Sequence, residues 1–157
     1  MVISYDEFAS AFLDKIREYD FLDMAEENRT EIIDSYMHRA LSEFKKNRKY
    51  DFKSTKDDIL REFDFSSEPE NVRKSLEEDI DEIVNIVSDG MVLQWLKPFK
   101  NSQDLLENIL NTRDFSTYSP AELLKQVRET YNEVKKEYVQ EIREYSYNHM
   151  DLGELHL

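Results

Sequence analysis

The densest group of side chains able to do chemistry stands at the end of the chain. In "HMDLGELH", His149, Asp151, Glu154 and His156 fall within eight positions, and all four can ligate a metal. A metal centre needs rigid, oriented ligands held by further hydrogen bonds. A terminus that contains Gly153 supplies neither by itself, so the four read as polar spacers between Tyr147, Met150, Leu152, Leu155 and Leu157. The acidic run "SLEEDIDEIV", residues 75–84, offers carboxylates of the kind acid–base catalysis uses. On a helix they lie opposite Leu76, Ile80, Ile83 and Val84, and they read as a solvated face. His38, between Met37 and Arg39 in a helical run, reads as a structural or surface histidine. Phosphate-binding, dinucleotide-binding, nucleophile-elbow and zinc-protease signatures are all missing. The chain has no cysteine, which excludes disulfides, zinc ribbons and thiol catalysis. The expectation is a protein that is not an enzyme and takes no metal or cofactor.

Composition narrows the class further. At 157 residues the simplest expectation is one domain with a modest core. Two Gly and three Pro are too few for the many turns of a sheet or barrel, so an all-helical fold is favoured. The formal net charge of −14 repels nucleic-acid phosphates. The one basic run, "KKNRKYDFK" from Lys45 to Lys53, reads as the cationic end of a helix, where the macrodipole favours it. "MVISYDEF" has no basic n-region, and no stretch reaches transmembrane length; neither a signal peptide nor a membrane partner is expected.

The elements that carry these residues are marked by their caps. "SYDEF" makes Ser4 an N-cap with Glu7 at N3, flanked by the staple pair Ile3 and Phe8, and Phe8, Phe12, Ile16 and Tyr19 then share a face. A second helix starts at "NRTE" and turns Ile33, Met37, Ala40 and Phe44 inward, with Ile32, Tyr36 and Leu41 beside them. In Lys49 to Ser67 a short helix fits Thr55 to Glu62, and "YDF" and "FDF" fit either loop anchors or short extended segments, between which periodicity does not decide. A third helix, after Ser67, carries Leu76, Ile80, Ile83, Val84, Val87 and Met91. It runs into "GMVLQWLKPF", which is apolar nearly all round. Met91, Val92, Leu93, Trp95 and Leu96 are therefore either the centre of the core or a subunit contact, and Pro98 should end the helix. A shorter helix follows at "SQDLLENIL".

The last helix is the best marked. In "TYSPAELL", Ser119 caps, Pro120 takes N1 and Glu122 closes the capping box, with Tyr118 and Leu123 as the staple. Leu124, Val127, Tyr131, Val134, Tyr138 and Tyr145 recur at 3.5-residue spacing, with Glu141 as the polar interruption. From Ser119 to Tyr145 this helix is on the order of 40 Å long, so its end is expected to project. The architecture expected is an all-α helical bundle over residues 1–146, with a long C-terminal helix and an extended tail over 147–157. The tail is read as a partner-docking segment, anchored by Tyr145, Tyr147, His149, Met150, Leu152, Leu155 and Leu157.

Five strings, "SYDEFASAFLDKIREYDFL", "IIDSYMHRALSEFKK", "GMVLQWLKPF", "NTRDFSTYSPAELL" and "IREYSYNHMDLGELHL", resemble the head–tail connector, or neck adaptor, proteins of tailed bacteriophages. They span most of the chain; Lys53 to Arg73 carries no such likeness. The resemblance implies a virion protein made in the host cytoplasm. It also implies a ring, commonly of twelve copies, that docks on the portal, extends the DNA channel and offers a surface to the next neck or tail protein. DNA would pass through without specific binding, which suits an acidic wall. The alternatives are a head-closure or tail-completion protein of the same neck, or a small acidic regulator that mimics DNA.

Overall fold

The computed structural model describes residues 2–17, 29–47, 55–65, 76–101 and 119–148. Four helices dominate: α1 (Tyr5–Ile16), α2 (Arg29–Asn47), α3 (Leu76–Lys100) and α4 (Pro120–Asn148). They are joined by three short strands, β1 (Val2–Ser4), β2 (Thr55–Asp57) and β3 (Glu62–Asp64). The fold is therefore mostly helical but not purely so. The strands form an antiparallel sheet in the order β1-β3-β2, with Ile3 opposite Phe63 and Asp57 opposite Glu62.

The sheet corrects the all-α expectation, and β2, a turn and β3 stand where a short helix is expected over Thr55 to Glu62; "YDF" lies outside the described residues. In "FDF", Phe63 and Phe65 are both buried while Asp64 is not, the two-residue alternation of a strand with one face on a core. Ile3 also faces that core, so β1 delivers the chain into α1 with its first apolar anchor already placed.

The helix caps form as the sequence implies. Ser4 Oγ accepts the Glu7 N–H at 3.3 Å. At α4 the box is reciprocal: Ser119 Oγ accepts from Glu122 N, and Glu122 Oε2 accepts from Ser119 N, each at 3.3 Å. Tyr19 of the expected α1 face, Asn28 at the start of "NRTE", the staple residue Tyr118 and the "SQDLLENIL" helix lie outside the described residues. Pro98 does not end α3, which continues to Lys100. Proline in a last turn forfeits one backbone hydrogen bond and leaves the rest of the ladder intact.

α3 packs against α1, α2 and α4. That placement explains why its second half is apolar all round. Met91, Val92, Leu93, Trp95 and Leu96 are each 4% exposed or less and fill the centre of the bundle. Their burial within one chain makes them part of its core, the first of the two readings. Trp95 sits edge-on to Phe12 at 6.4 Å between ring centroids. α4, with 29 residues, is about 43 Å long. Its end does not project: Ile142, Tyr145 and Ser146 are buried.

Candidate functional site

Three features stand out on this scaffold: a polar cluster between helices, a rigid hairpin tip and a sharp division of charge on α4.

The polar cluster joins α1, α3 and α4. Lys15 Nζ donates to Asn85 O (2.9 Å), Asn85 Oδ1 (2.8 Å) and Asp89 Oδ1 (2.7 Å), which uses all three of its protons. Asn85 Nδ2 donates to Glu141 Oε1 at 2.9 Å. Burial, and then the neighbouring Asp89, push the Glu141 carboxyl up to about 8, against the pull of Asn85 and Lys15. Glu141 Oε2 is buried and accepts no hydrogen bond. A proton retained on Glu141 would relieve the repulsion between its carboxylate and that of Asp89. Lys15 and Asn85 tie α1, α3 and α4 together through this cluster.

The hairpin tip is β2, the turn over residues 58–61, and β3. Asp57 Oδ1 accepts the N–H groups of Ile59 and Leu60, both at 2.9 Å. Arg61 closes the turn at φ 54°, a left-handed conformation that costs a side-chain-bearing residue energy. Four contacts hold it there. Its carbonyl accepts from Tyr5 N at 2.8 Å, and its guanidinium takes both oxygens of Asp34, at 2.7 and 3.0 Å. The guanidinium also lies 5.2 Å from the centroid of the Tyr5 ring. The Tyr5 hydroxyl donates to Asp58 Oδ1 at 2.7 Å. Burial and that hydrogen bond raise the Tyr5 hydroxyl well above its usual range, while the same bond lowers the Asp58 carboxyl. The apex this network supports is apolar: Ile59 is 93% exposed and Leu60 65%.

α4 carries five cations and six carboxylates. At about 100° per residue, Lys125, Arg128, Lys135, Lys136 and Arg143 fall within an arc of roughly 100°. All six glutamates fall in the adjoining arc of roughly 120°. On the basic side, Lys135, Lys136, Val139, Gln140 and Arg143 line a shallow groove of about 470 Å³. On the acidic side, Glu78, Asp81 and Glu82 of α3 face Glu141 and Glu144 across a groove of about 440 Å³. A third groove, of about 620 Å³, lies between α2 and α3 and is lined by Arg39, Glu43, Lys46, Gln94 and Lys97.

Compared with protein-family models, curated proteins and solved structures, the chain matches none.

The docking residues expected from the sequence separate into three sets. Tyr145 is a core residue, 0% exposed, with its ring 5.3 Å from that of Phe44. It is not a surface anchor, because α2 covers it. Tyr147 is 58% exposed on the last turn of α4. His149, Met150, Leu152, Leu155 and Leu157 lie outside the described residues, as do Asp151, Glu154 and His156. The helix runs through to Asn148, so the 146/147 boundary falls inside a regular element. His38 is half-buried, edge-on to Tyr5 at 5.6 Å and to Phe63 at 5.9 Å, and it packs as a structural histidine. Among the described residues no group of three or more His, Cys, Asp or Glu is placed to hold a metal. No described helix is long and apolar enough to cross a membrane.

Sequence reasoning missed the hairpin tip and the Lys15 clamp. The clamp had a signal: Glu141 interrupts an otherwise apolar spacing. The tip had a weaker one, two aliphatics between Asp58 and Arg61 in a segment with no helical period.

Proposed function

We propose that this chain is a structural protein of a phage neck, assembling as a ring on the portal and extending the DNA channel toward the tail. The observation that carries the reading beyond its sequence resemblance is the hairpin tip. Ile59 and Leu60 are presented to solvent by a turn whose conformation is locked from four directions. A locked apolar apex loses little freedom when covered, so it suits a socket on a partner. Asp57 and Asp58 beside it favour a socket with a basic rim. The abundance of exposed carboxylate suits a channel wall that duplex DNA slides past.

The test is co-assembly with the portal encoded by the same genome. Ile59→Asp with Leu60→Asp, and separately removal of residues 149–157, should each weaken docking while leaving the helical spectrum intact. Wild-type docking by both variants would overturn this reading. A second reading, a DNA mimic that blocks a nucleic-acid-binding enzyme, draws on the carboxylates lining the α3–α4 groove. Tight binding to such an enzyme, competed by duplex DNA, would favour it instead.

A further inference from the structure

An acidic ring poses an electrostatic problem. Copies that each carry −14 repel, and the apolar segment from Met91 to Leu96 is buried inside its own bundle. The charge division on α4 offers a solution. We infer that copies of this chain associate head to tail, the basic stripe of α4 on one copy seating against the acidic α3–α4 groove of the next.

The stripe is Lys135, Lys136 and Arg143 around Val139, and the groove offers Glu78, Asp81, Glu82 and Glu144. Both faces are helical, both are exposed, and their charges are opposite. Seen down α4 they are separated by roughly 120°, because they occupy adjoining arcs of one helix. A contact between them is therefore not two-fold. It leaves a groove vacant on one copy and a stripe vacant on the other, so it propagates and either closes as a ring or continues as a filament.

The contact acts within a few ångströms, whereas the net repulsion acts over longer range. At about 0.1 M salt the Debye length is about 10 Å, which screens the repulsion more than the contact. Exposed ion pairs contribute at most about 1 kcal/mol each. Association of free copies is therefore weak, and a portal that gathers copies would raise their local concentration. The biological setting of this inference rests on the neck reading; the contact itself does not.

Sedimentation equilibrium up to about 1 mM chain in 0.1 M salt tests the pairing through a charge swap. One variant reverses the stripe (K135E, K136E, R143E) and moves the net charge from −14 to −20. The other reverses the groove (E78K, E82K, E144K) and moves it to −8. Each alone should associate at least ~10-fold more weakly than the wild type. An equimolar mixture should recover association, because each variant's stripe then meets a groove of opposite charge. If net charge alone governed association, the groove variant would associate more strongly than the wild type. That result overturns the inference, as does a monomeric wild type or a mixture no better than its components. If the swap succeeds but no ring of this chain is found in virions, the contact stands and the neck reading falls. A virion ring that tolerates both variants unmixed overturns the contact and leaves the neck reading standing.

Discussion

Gly90 of α3 lies against Ala40 of α2 so closely that a Cβ on Gly90 would come within 2.9 Å of the Ala40 Cβ, and within 3.3 Å of two atoms of the Tyr138 ring. Three helices meet at this point, and the Tyr138 hydroxyl reaches the Ala40 carbonyl at 3.4 Å. Helix propensity favours Gly90→Ala by about 1 kcal/mol. Ala40 is fixed to a helix backbone and cannot move aside, so the overlap should cost more, about 1–3 kcal/mol. The expected outcome is a lower urea midpoint for Gly90→Ala, partly restored by adding Ala40→Gly. A stabilised Gly90→Ala would mean the helices are not packed this closely.

Glu141 makes stability depend on pH in a stated direction. Its folded value of about 8 lies above the ordinary 4.5, so between those two pH values the folded chain keeps a proton that the unfolded chain releases. Stability contributed by this group is fully present below about 4.5 and falls as pH rises toward 8. The charges facing it are Lys15 from α1, Asp89, Glu78, Asp81 and Glu82 from α3, and Glu144 on its own helix. Glu141→Gln keeps the acceptor for Asn85 and replaces the retained proton with an amide. It should match the wild type near pH 5 and exceed it at pH 8. Glu141 is only partly buried, so the gain is on the order of 1 kcal/mol, or about 3 °C in midpoint. Equal midpoints at pH 8 would show that Glu141 is ionised throughout.

Arg61 allows the cost of the turn's left-handed residue to be separated from the worth of its side chain. Arg61→Ala and Arg61→Gly both lose the paired bonds to Asp34 and the contact over Tyr5. Only alanine remains strained at φ 54°. The glycine variant should therefore be the more stable of the two by about 1 kcal/mol. Equal stabilities would imply that the turn relaxes once the guanidinium is gone.

The helices were legible because their signals are local. The boxes at Ser4 and Ser119 lie within four residues of sequence, and the inward residues of α1 and α2 follow a single period. The sheet was not legible from such signals. β1 and β3 are three residues each and pair across some sixty positions, too short for alternation to register and too distant for turn chemistry to join them. The all-round apolar character of Met91 to Leu96 showed that the segment is enclosed; it could not show by what. At the candidate site, Tyr145 was drawn into the tail although it obeys the same spacing as Tyr138, and the spacing was the better guide. The hairpin tip is legible only in three dimensions, since exposure of Ile59 and Leu60 depends on Asp34 and Tyr5, which are remote in sequence.

Tyr145 and Tyr147 provide the sharpest separation of packing from docking. They are two residues apart on α4, so they point to different sides of the helix. Tyr145 fills the core against Phe44, and Tyr145→Ala should destabilise the fold by about 3 kcal/mol. Any loss of docking in that variant should track loss of folded protein. Tyr147 is mostly exposed, and Tyr147→Ala should leave unfolding within about 0.5 kcal/mol of the wild type. If the last turn of α4 contributes to the portal contact, Tyr147→Ala should weaken co-assembly at full helical content. Urea unfolding and portal co-sedimentation on the same preparations check both. A Tyr147→Ala chain that docks like the wild type would remove the last turn of α4 from the proposed portal contact.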